Sequence, residues 1–507
     1  MNPFPCLLPV TLALFFLSGC FSTSDIKTYR DLSEAIPGSL RIMTVDTTIY
    51  DLRTVSFTDS LVEGEGEHFV DGHWLPFSGG VPMARIVYIQ SRSVNTWMTL
   101  AGVGLVGLTA DWFNQARAEE GLDVWRPSPA AGGGSCPYVY AWNGSHYVRQ
   151  GEVFGTAFGK GLETSTGCVL PDASAPDGIL RVRIADERPE THYINSVRVS
   201  AYDTPMRTSV YLDTRDRAWP LPSLSPPLRA PKEIMRRDNV RWKSESMRRG
   251  GEYRDTLEII LPRTGNTNEG SLLVHAINTH LSEAAFETLF GYLGDESLPY
   301  LYRMEHDPGT VALLKGWIEE CALHVDVWDG ASWKSAGVIP PEANEVPFTR
   351  IVRIPAPEMC RDSVRIRLRV LADTWEIDAV EVDWSPALPL EEHVLRLLSA
   401  RHSTRGSVEC ALQSPDSDYA MLLPGEFVDM TFRALEPHEG HRVTYACHAS
   451  GYLYEWLPER PVTVELPGLF ASSGVDRMNV VEYLLRNHDA LFPVLFARLD
   501  EMQNDAR

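Results

Sequence analysis

The chain is short of positive charge, of cysteine and of any catalytic signature, and each shortage narrows what it can do. Its 507 residues hold 46 Lys and Arg against 68 Asp and Glu, a net charge of −22. Such a field repels the phosphates of nucleic acid and an anionic lipid surface, so nucleic acid is not expected as a partner. No Gly-x-Ser-x-Gly elbow, His-Glu-x-x-His helix or calcium loop occurs. The mechanisms that announce themselves by those spacings are therefore absent. Gly102, Gly104 and Gly107 are not followed by Lys-Ser/Thr, which excludes a phosphate loop. No Cys-x-x-Cys or tight Cys/His spacing occurs among the 8 cysteines, which argues against structural zinc. No metal and no cofactor is expected. Residues 1–19 carry no charged side chain at all.

That charge-free start contains an apolar run from Leu7 to Leu17, then Ser18-Gly19-Cys20 and the polar Ser22, Thr23, Ser24 and Asp25. About eleven residues are too few to cross a ~30 Å hydrocarbon core as a helix, whereas an apolar stretch ending in small residues suits an export signal. Leu17-Ser18-Gly19-Cys20 resembles the lipobox of bacterial lipoproteins. The resemblance implies cleavage before Cys20, acylation of that cysteine, and an anchor in the bacterial cell envelope, on the outer membrane or periplasmic face. The departure is that no Lys or Arg precedes the run, so only the α-amino group supplies the usual positive start.

Export changes how the cysteines read. Removal of residues 1–19 from 507 leaves 488, with Cys136, Cys168, Cys321, Cys360, Cys410 and Cys447 besides the lipidated Cys20. The six fall into neighbouring couples 32, 39 and 37 residues apart. The economical expectation is one disulfide per domain, each contributing about 3 to 4 kcal/mol; six buried thiols are the alternative.

Two stretches repeat one another. Cys136-Pro-Tyr-Val-Tyr-Ala-Trp142-Asn143-Gly144-Ser-His-Tyr147 matches Cys321-Ala-Leu-His-Val-Asp-Val-Trp328-Asp329-Gly330-Ala-Ser-Trp333. Each is an apolar strand entering an Asn-Gly or Asp-Gly dipeptide, which predicts a hairpin with a type I′ turn. Farther on, Arg181–Ile184 and Ile194–Val199 match Arg365–Val370 and Ile377–Val382, with Trp-to-Ile separations of 52 and 49 residues. In Ser363–Val370 arginines alternate with aliphatics at period two, so one face is wet and the other is core. The fold class expected is mainly β (α+β): duplicated antiparallel β-sandwich modules, jelly-roll-like at best, with helical insertions and C-terminal helices.

The expected domains are a signal peptide over 1–19, a β-rich region over 20–92, an apolar helix over 93–120 and β module 1 over 133–205. A Pro-rich linker over 206–232 leads to β-sandwich module 2 over 233–386, with a helical insertion at 281–320. A small β unit over 387–465, opening with a helix near Glu391–Ala400, and C-terminal helices over 466–507 complete the chain. Ser93–Ala110 is free of charge and carries Trp97 and Trp112 at its ends, at the threshold for membrane contact; a docked helix is the favoured reading.

Candidate ligand residues are few. Trp375, Glu376, Asp378 and Trp384 could form an aromatic platform with carboxylates for sugar, although strand tryptophans commonly belong to a core. His438-Glu439-Gly440-His441 lacks the spacing to share a helix face and is expected to be a polar loop; His68, Asp71 and His73 are expected to be solvated around a turn. Asp416 and Asp418 suit a turn better than an acid/base pair.

The segments from Ser135 to Pro205 and from Val364 to Pro386 resemble bacterial exported and lipid-anchored proteins of no assigned activity, and Val364–Trp384 resembles galactose-binding-type sandwiches. The first resemblance implies β-sandwich modules; the second, loops at one end that hold a ligand. The expected function is a lipid-anchored envelope protein that binds a glycan or organises other envelope proteins, with membrane contact through Cys20. An envelope-polymer hydrolase is the alternative.

Overall fold

The computed structural model describes residues 21–25, 39–44, 48–57, 61–70, 73–82, 85–94, 137–188, 190–244, 253–265, 267–281, 307–356, 362–416, 418–423 and 425–455. The expected signal peptide with Cys20, residues 95–120, Cys136, Cys360, residues 282–306 of the expected helical insertion and the expected C-terminal helices lie outside them. Two compact units are present, divided near Ser128. The protein is mainly β, as its alternating patterns predict.

The first unit is one antiparallel sheet of β1 (Phe21–Asp25), β2 (Ser39–Thr44), β3 (Ile49–Phe57), β4 (Leu61–Val70), β5 (His73–Pro82) and β6 (Ile86–Val94), in the order β1-β6-β2-β3-β4-β5. Leu40, Ile42, Leu52, Val62 and Val81 bury its apolar face. Pairing of Val70 with His73 leaves a two-residue connection at Asp71-Gly72. Ser93 and Val94 end a strand, so no helix starts at 93. Among the described residues no helix is long and apolar enough to cross a membrane.

The second unit opens with β7 (Tyr138–Trp142), β8 (Tyr147–Glu152), β9 (Thr164–Leu170), β10 (Ile179–Ala185) and β11 (Glu190–Pro205). The former linker region holds β12 (Ser209–Leu212) and β13 (Ala218–Leu221). Then come β14 (Trp242–Lys243), β15 (Arg254–Pro262), β16 (Glu269–Asn278), α1 (Pro308–Glu320), β17 (Leu323–Trp328), β18 (Trp333–Ile339), β19 (Phe348–Pro355), β20 (Ser363–Leu371) and β21 (Trp375–Asp383). The chain returns through β22 (His393–Val394), β23 (Leu397–His402), β24 (Gly406–Ser407), α2 (Glu409–Leu412), β25 (Ala420–Leu422), β26 (Phe427–Arg433) and β27 (His441–Glu455).

These strands make two sandwiches with one plan. In the second sandwich the sheets are β15-β20-β17-β18 and β14-β21-β16-β19; in the first they are β24-β23-β26-β10-β7-β8 and β22-β11-β27-β9. Strand for strand, β26-β10-β7-β8 repeats β15-β20-β17-β18, and β22-β11-β27-β9 repeats β14-β21-β16-β19. The order along the chain differs. The second sandwich takes β15 and β16, one for each sheet, from ahead of β17, whereas the first receives the equivalent β26 and β27 from the far end of the sequence. Residues 387–455 therefore form no separate small unit: β26 pairs β10 and β27 pairs β11 along its length. The helix expected over 391–400 is strand instead. Ala400 and His402 face inward and Arg401 outward, a period-two pattern stabilised by pairing with β26.

The repeated turns are alike but are not type I′. Trp142 pairs with Tyr147 and Trp328 with Trp333, so each loop has four residues. Asn143 Oδ1 accepts the N–H of Ser145 at 2.9 Å, and Asp329 Oδ1 that of Ala331 at 2.8 Å. These side-chain bonds close the loops, and only Gly144 and Gly330 take positive φ, both at 103°.

Arginines on β20 face outward over a buried row of Val364, Ile366, Leu368 and Val370. Asp326 holds Arg367 and Arg369 at 2.7 and 2.8 Å. The 206–232 segment is strapped down rather than extended. Asp213 accepts Arg217 Nε and Trp219 Nε1, and Ser225 bonds Val382 in both directions. Tyr211 and Trp219 pack against Leu221, Leu273 and Ile351.

Candidate functional site

A cleft of about 360 Å³ opens between the two sandwiches. One wall comes from β8, β9, β12 and the start of β27, the other from residues 342–350. Arg350, 5% exposed, crosses the junction: its guanidinium meets Glu342 with Nε–Oε1 and Nη2–Oε2 both at 2.5 Å, and it donates to the Gly167 carbonyl at 2.7 Å. In the other direction, Glu152 Oε1 accepts the backbone N–H groups of Glu345 and Val346 at 2.9 and 2.7 Å. Arg188 also donates to Glu345. The two sandwiches are thus joined by charge-assisted bonds, which are stronger than neutral ones.

Burial sets the ionisation around this junction. It pushes the Glu342 carboxyl up, and Arg350 pulls it back only in part. Asp216, 3.6 Å from Arg350, is raised in the same way. Burial pushes the Cys168 thiol up to about 12, so it is not a thiolate nucleophile at neutral pH.

Toward the mouth, Arg442 is committed to the Thr208 carbonyl at 2.9 Å and Ser209 Oγ at 3.0 Å. Arg237 is exposed and forms no ion pair among the described residues. Tyr211 stands edge-on to His275 with centroids 6.3 Å apart. Thr349, a lining residue, bonds His275 Nδ1 through Oγ1 at 2.8 Å, and His275 Nε2 meets Glu381 Oε2 at 3.0 Å. The cleft can hold a hydroxylated or anionic group between Arg237, Tyr211 and Thr349. None of these residues was singled out from the sequence. They sit on three separate segments, and only the pairing of β16 with β19 and β21 sets Thr349, His275 and Glu381 side by side.

The residues singled out from sequence lie elsewhere. Trp375 and Trp384 are 0% and 2% exposed in the second sandwich core, and their indole N–H groups donate to the carbonyls of Cys321 and Pro262. Asp378 accepts the N–H groups of Asp238 and Asn239, while Glu376 pairs with Arg241 and Lys243. No sugar platform forms, because inward strand positions claim both tryptophans.

The cysteine couples are also rearranged. Cys447 lies directly opposite Cys168 across β27 and β9, not beside the exposed Cys410 on α2. Cys168, Cys321, Cys410 and Cys447 are free thiols. Cys136 and Cys360, the proposed partners of Cys168 and Cys321, lie outside the described residues.

His68 packs on Tyr50 and Phe77, and Asp71 lies outside the described residues. Asp416 Oδ1 caps the Asp418 N–H in a turn, as expected. His438 does lie on a loop, but His441 is the first residue of β27, and both stand beside Asp203.

No family model matches the chain, and no curated protein matches it. Among solved structures, that of the infectious bursal disease virus Gx strain is similar at 10% identity over 93% of this chain and 86% of the other, with a TM-score of 0.12. The VP2 subviral particle of infectious bursal disease virus is similar at 8% identity over 96% and 92%, with a TM-score of 0.10. Likenesses at that score carry no argument about fold or function.

Proposed function

We propose that the chain is a lipid-anchored protein of the bacterial cell envelope that binds a glycan or an envelope-protein partner, without catalysis, and that the cleft between its sandwiches is where the ligand sits. The observation that carries this reading is the cleft itself: a hollow of mixed polarity whose buried Arg350 guanidinium is neutralised by Glu342 while Arg237, on its lining, forms no ion pair among the described residues. A hydroxyl-rich or acidic ligand gains bonds there without displacing the junction. The lipobox-like Leu17-Ser18-Gly19-Cys20 supports the address.

Two experiments test the two halves. Binding of envelope glycan fragments should weaken at least tenfold in an Arg237→Ala, Tyr211→Phe double variant. Unchanged binding would remove the cleft from the proposal. Separately, Cys20→Ala should leave an uncut precursor that is lost from the membrane fraction, and normal processing would remove the anchor.

The envelope-polymer hydrolase is favoured by one arrangement, the Thr349–His275–Glu381 chain at 2.8 and 3.0 Å, which has the nucleophile, base and orienting-carboxylate order of acyl-transfer enzymes. Turnover of an ester probe that disappears in Thr349→Val would replace binding by hydrolysis. No turnover in the unaltered protein would leave the binding reading standing.

A further inference from the structure

We infer that Asp203, His438 and His441 form a binding site for a divalent transition-metal ion of zinc's kind. Asp203 on β11 pairs with Val443 of β27 and Pro205 with His441, so Asp203 and His441 are diagonal neighbours on one face of the sheet. A tight turn precedes β27, closed by the His441 N–H on the His438 carbonyl at 3.0 Å, with Gly440 at φ 77°. The turn carries the second imidazole to the same carboxylate. The two rings lie 5.8 Å apart at 70°.

The carboxylate is fixed before any ion arrives. Asp203 Oδ2 accepts the His438 backbone N–H at 3.2 Å and also contacts His438 Nδ1. Its side chain is only 6% exposed.

Two atoms ask for a further partner. Asp203 Oδ1 and His441 Nδ1 are buried and lack a hydrogen bond; they lie 3.3 Å apart but are poorly aligned for one. A cation between them satisfies both. The candidate ligand atoms of all three residues lie within 4.8 Å of one another, against about 3.3 Å between ligands of a tetrahedral ion with ~2.0 Å bonds. A modest shift of His438 closes that difference, and its side chain, 82% exposed, is free to make it. Two imidazoles and one carboxylate suit zinc or its neighbours rather than calcium or magnesium, and three protein ligands leave a fourth position for water or a ligand atom. The spacing that rules out a shared helix face is no obstacle on a turn, since the third ligand comes from the adjacent strand.

The test uses the full chain, stripped with chelator and titrated with Zn²⁺ calorimetrically and with Co²⁺ by visible absorption. One ion per chain is expected, with tetrahedral-type Co²⁺ bands. His438→Ala, at an exposed position that leaves folding alone, should weaken binding at least tenfold, since even changes to groups behind the ligands cost ten- to a hundredfold. Asp203→Asn should do the same while leaving the thermal transition of the metal-free protein in place. No binding to the unaltered chain, or equal binding by His438→Ala, overturns the site.

Discussion

The two sandwiches of the second unit use the same strands in the same places, yet one is written contiguously and the other is split by nearly two hundred residues of intervening chain. Strand neighbourhood, not chain order, is what the two share. In the second sandwich, β15 and β16 precede the three strands they pair with, β20, β19 and β21. In the first, β26 and β27 follow them, and β27 runs between β11 and β9 at the centre of its sheet. A central strand of the first sandwich is therefore the last of the described strands to leave the ribosome. The second sandwich is complete before that strand exists.

The largest way to break this comparison is to delete residues 387–507. The first sandwich then loses an inner strand from both sheets and should not fold, exposing 137–205 to protease. Residues 206–386, which carry every described strand of the second sandwich, should stay protected. Equal protection of both segments in a limited-proteolysis time course would show that β26 and β27 are not integral to the first sandwich.

Next in size is the junction. Arg350→Leu strands Glu342 beside the Gly167 carbonyl without its counter-ion, and breaking a buried pair from one side costs about 3–5 kcal/mol. The loss falls on the connection between the sandwiches. Calorimetry should show a single transition of the unit separating into two, and a lone transition lowered as a whole would place Arg350 inside one fold rather than between two.

How much of this was legible depends on range. The matched turns, the Arg/aliphatic alternation of β20 and the Trp-to-Ile spacing are local, and each predicted strands that are there. The swap of β26 and β27 was not legible, because Arg183 and Asp429 pair across 246 residues and no local pattern encodes such a partner. Leu397 and Leu398 fit a helix by spacing; pairing with β26 decides for strand. The metal triad was half visible: the two imidazoles stand three apart in sequence, whereas Asp203 is 235 residues from His438. Trp375 and Trp384 failed as site residues for the opposite reason, since the strand periodicity that made them prominent also turned them inward.

A smaller effect separates the sandwiches by pH. His448 on β27 is driven down to about 4, chiefly by burial, with Arg198 and Arg350 adding to the shift and Glu392 opposing it. An unfolded histidine titrates near 6.5, so between those values the unfolded chain binds the proton and the native one does not. The stability tied to a neutral His448 is whole above about pH 6.5 and falls with acid down to about pH 4, by up to roughly 3 kcal/mol. His448→Gln removes that titration. Denaturant unfolding at pH 4.5, 5.5 and 6.5 should then give a shallower acid slope for the first sandwich, and an identical slope would mean His448 is protonated in the native fold.

The smallest expected effect is also the most direct test that the sandwiches are copies. Gly144 and Gly330 share a φ of 103°, each following an Asn or Asp whose carboxamide or carboxylate caps the same two N–H groups of its loop. A Cβ on Gly144 would meet nothing nearer than Ser174 Oγ at 3.8 Å, so space is not the constraint. The backbone is: a positive φ for an L-residue costs about 1–2 kcal/mol. Gly144→Ala should therefore cost about that much in the first sandwich, and Gly330→Ala the same in the second. The aromatic pairs beside the loops, Trp142–Tyr147 at 5.5 Å and Trp328–Trp333 at 5.3 Å, should survive both changes, so strand register is kept and only the turn term is read. If the two costs differ by more than the span of that range, the turns are alike in shape but not in what the surrounding sheet asks of them.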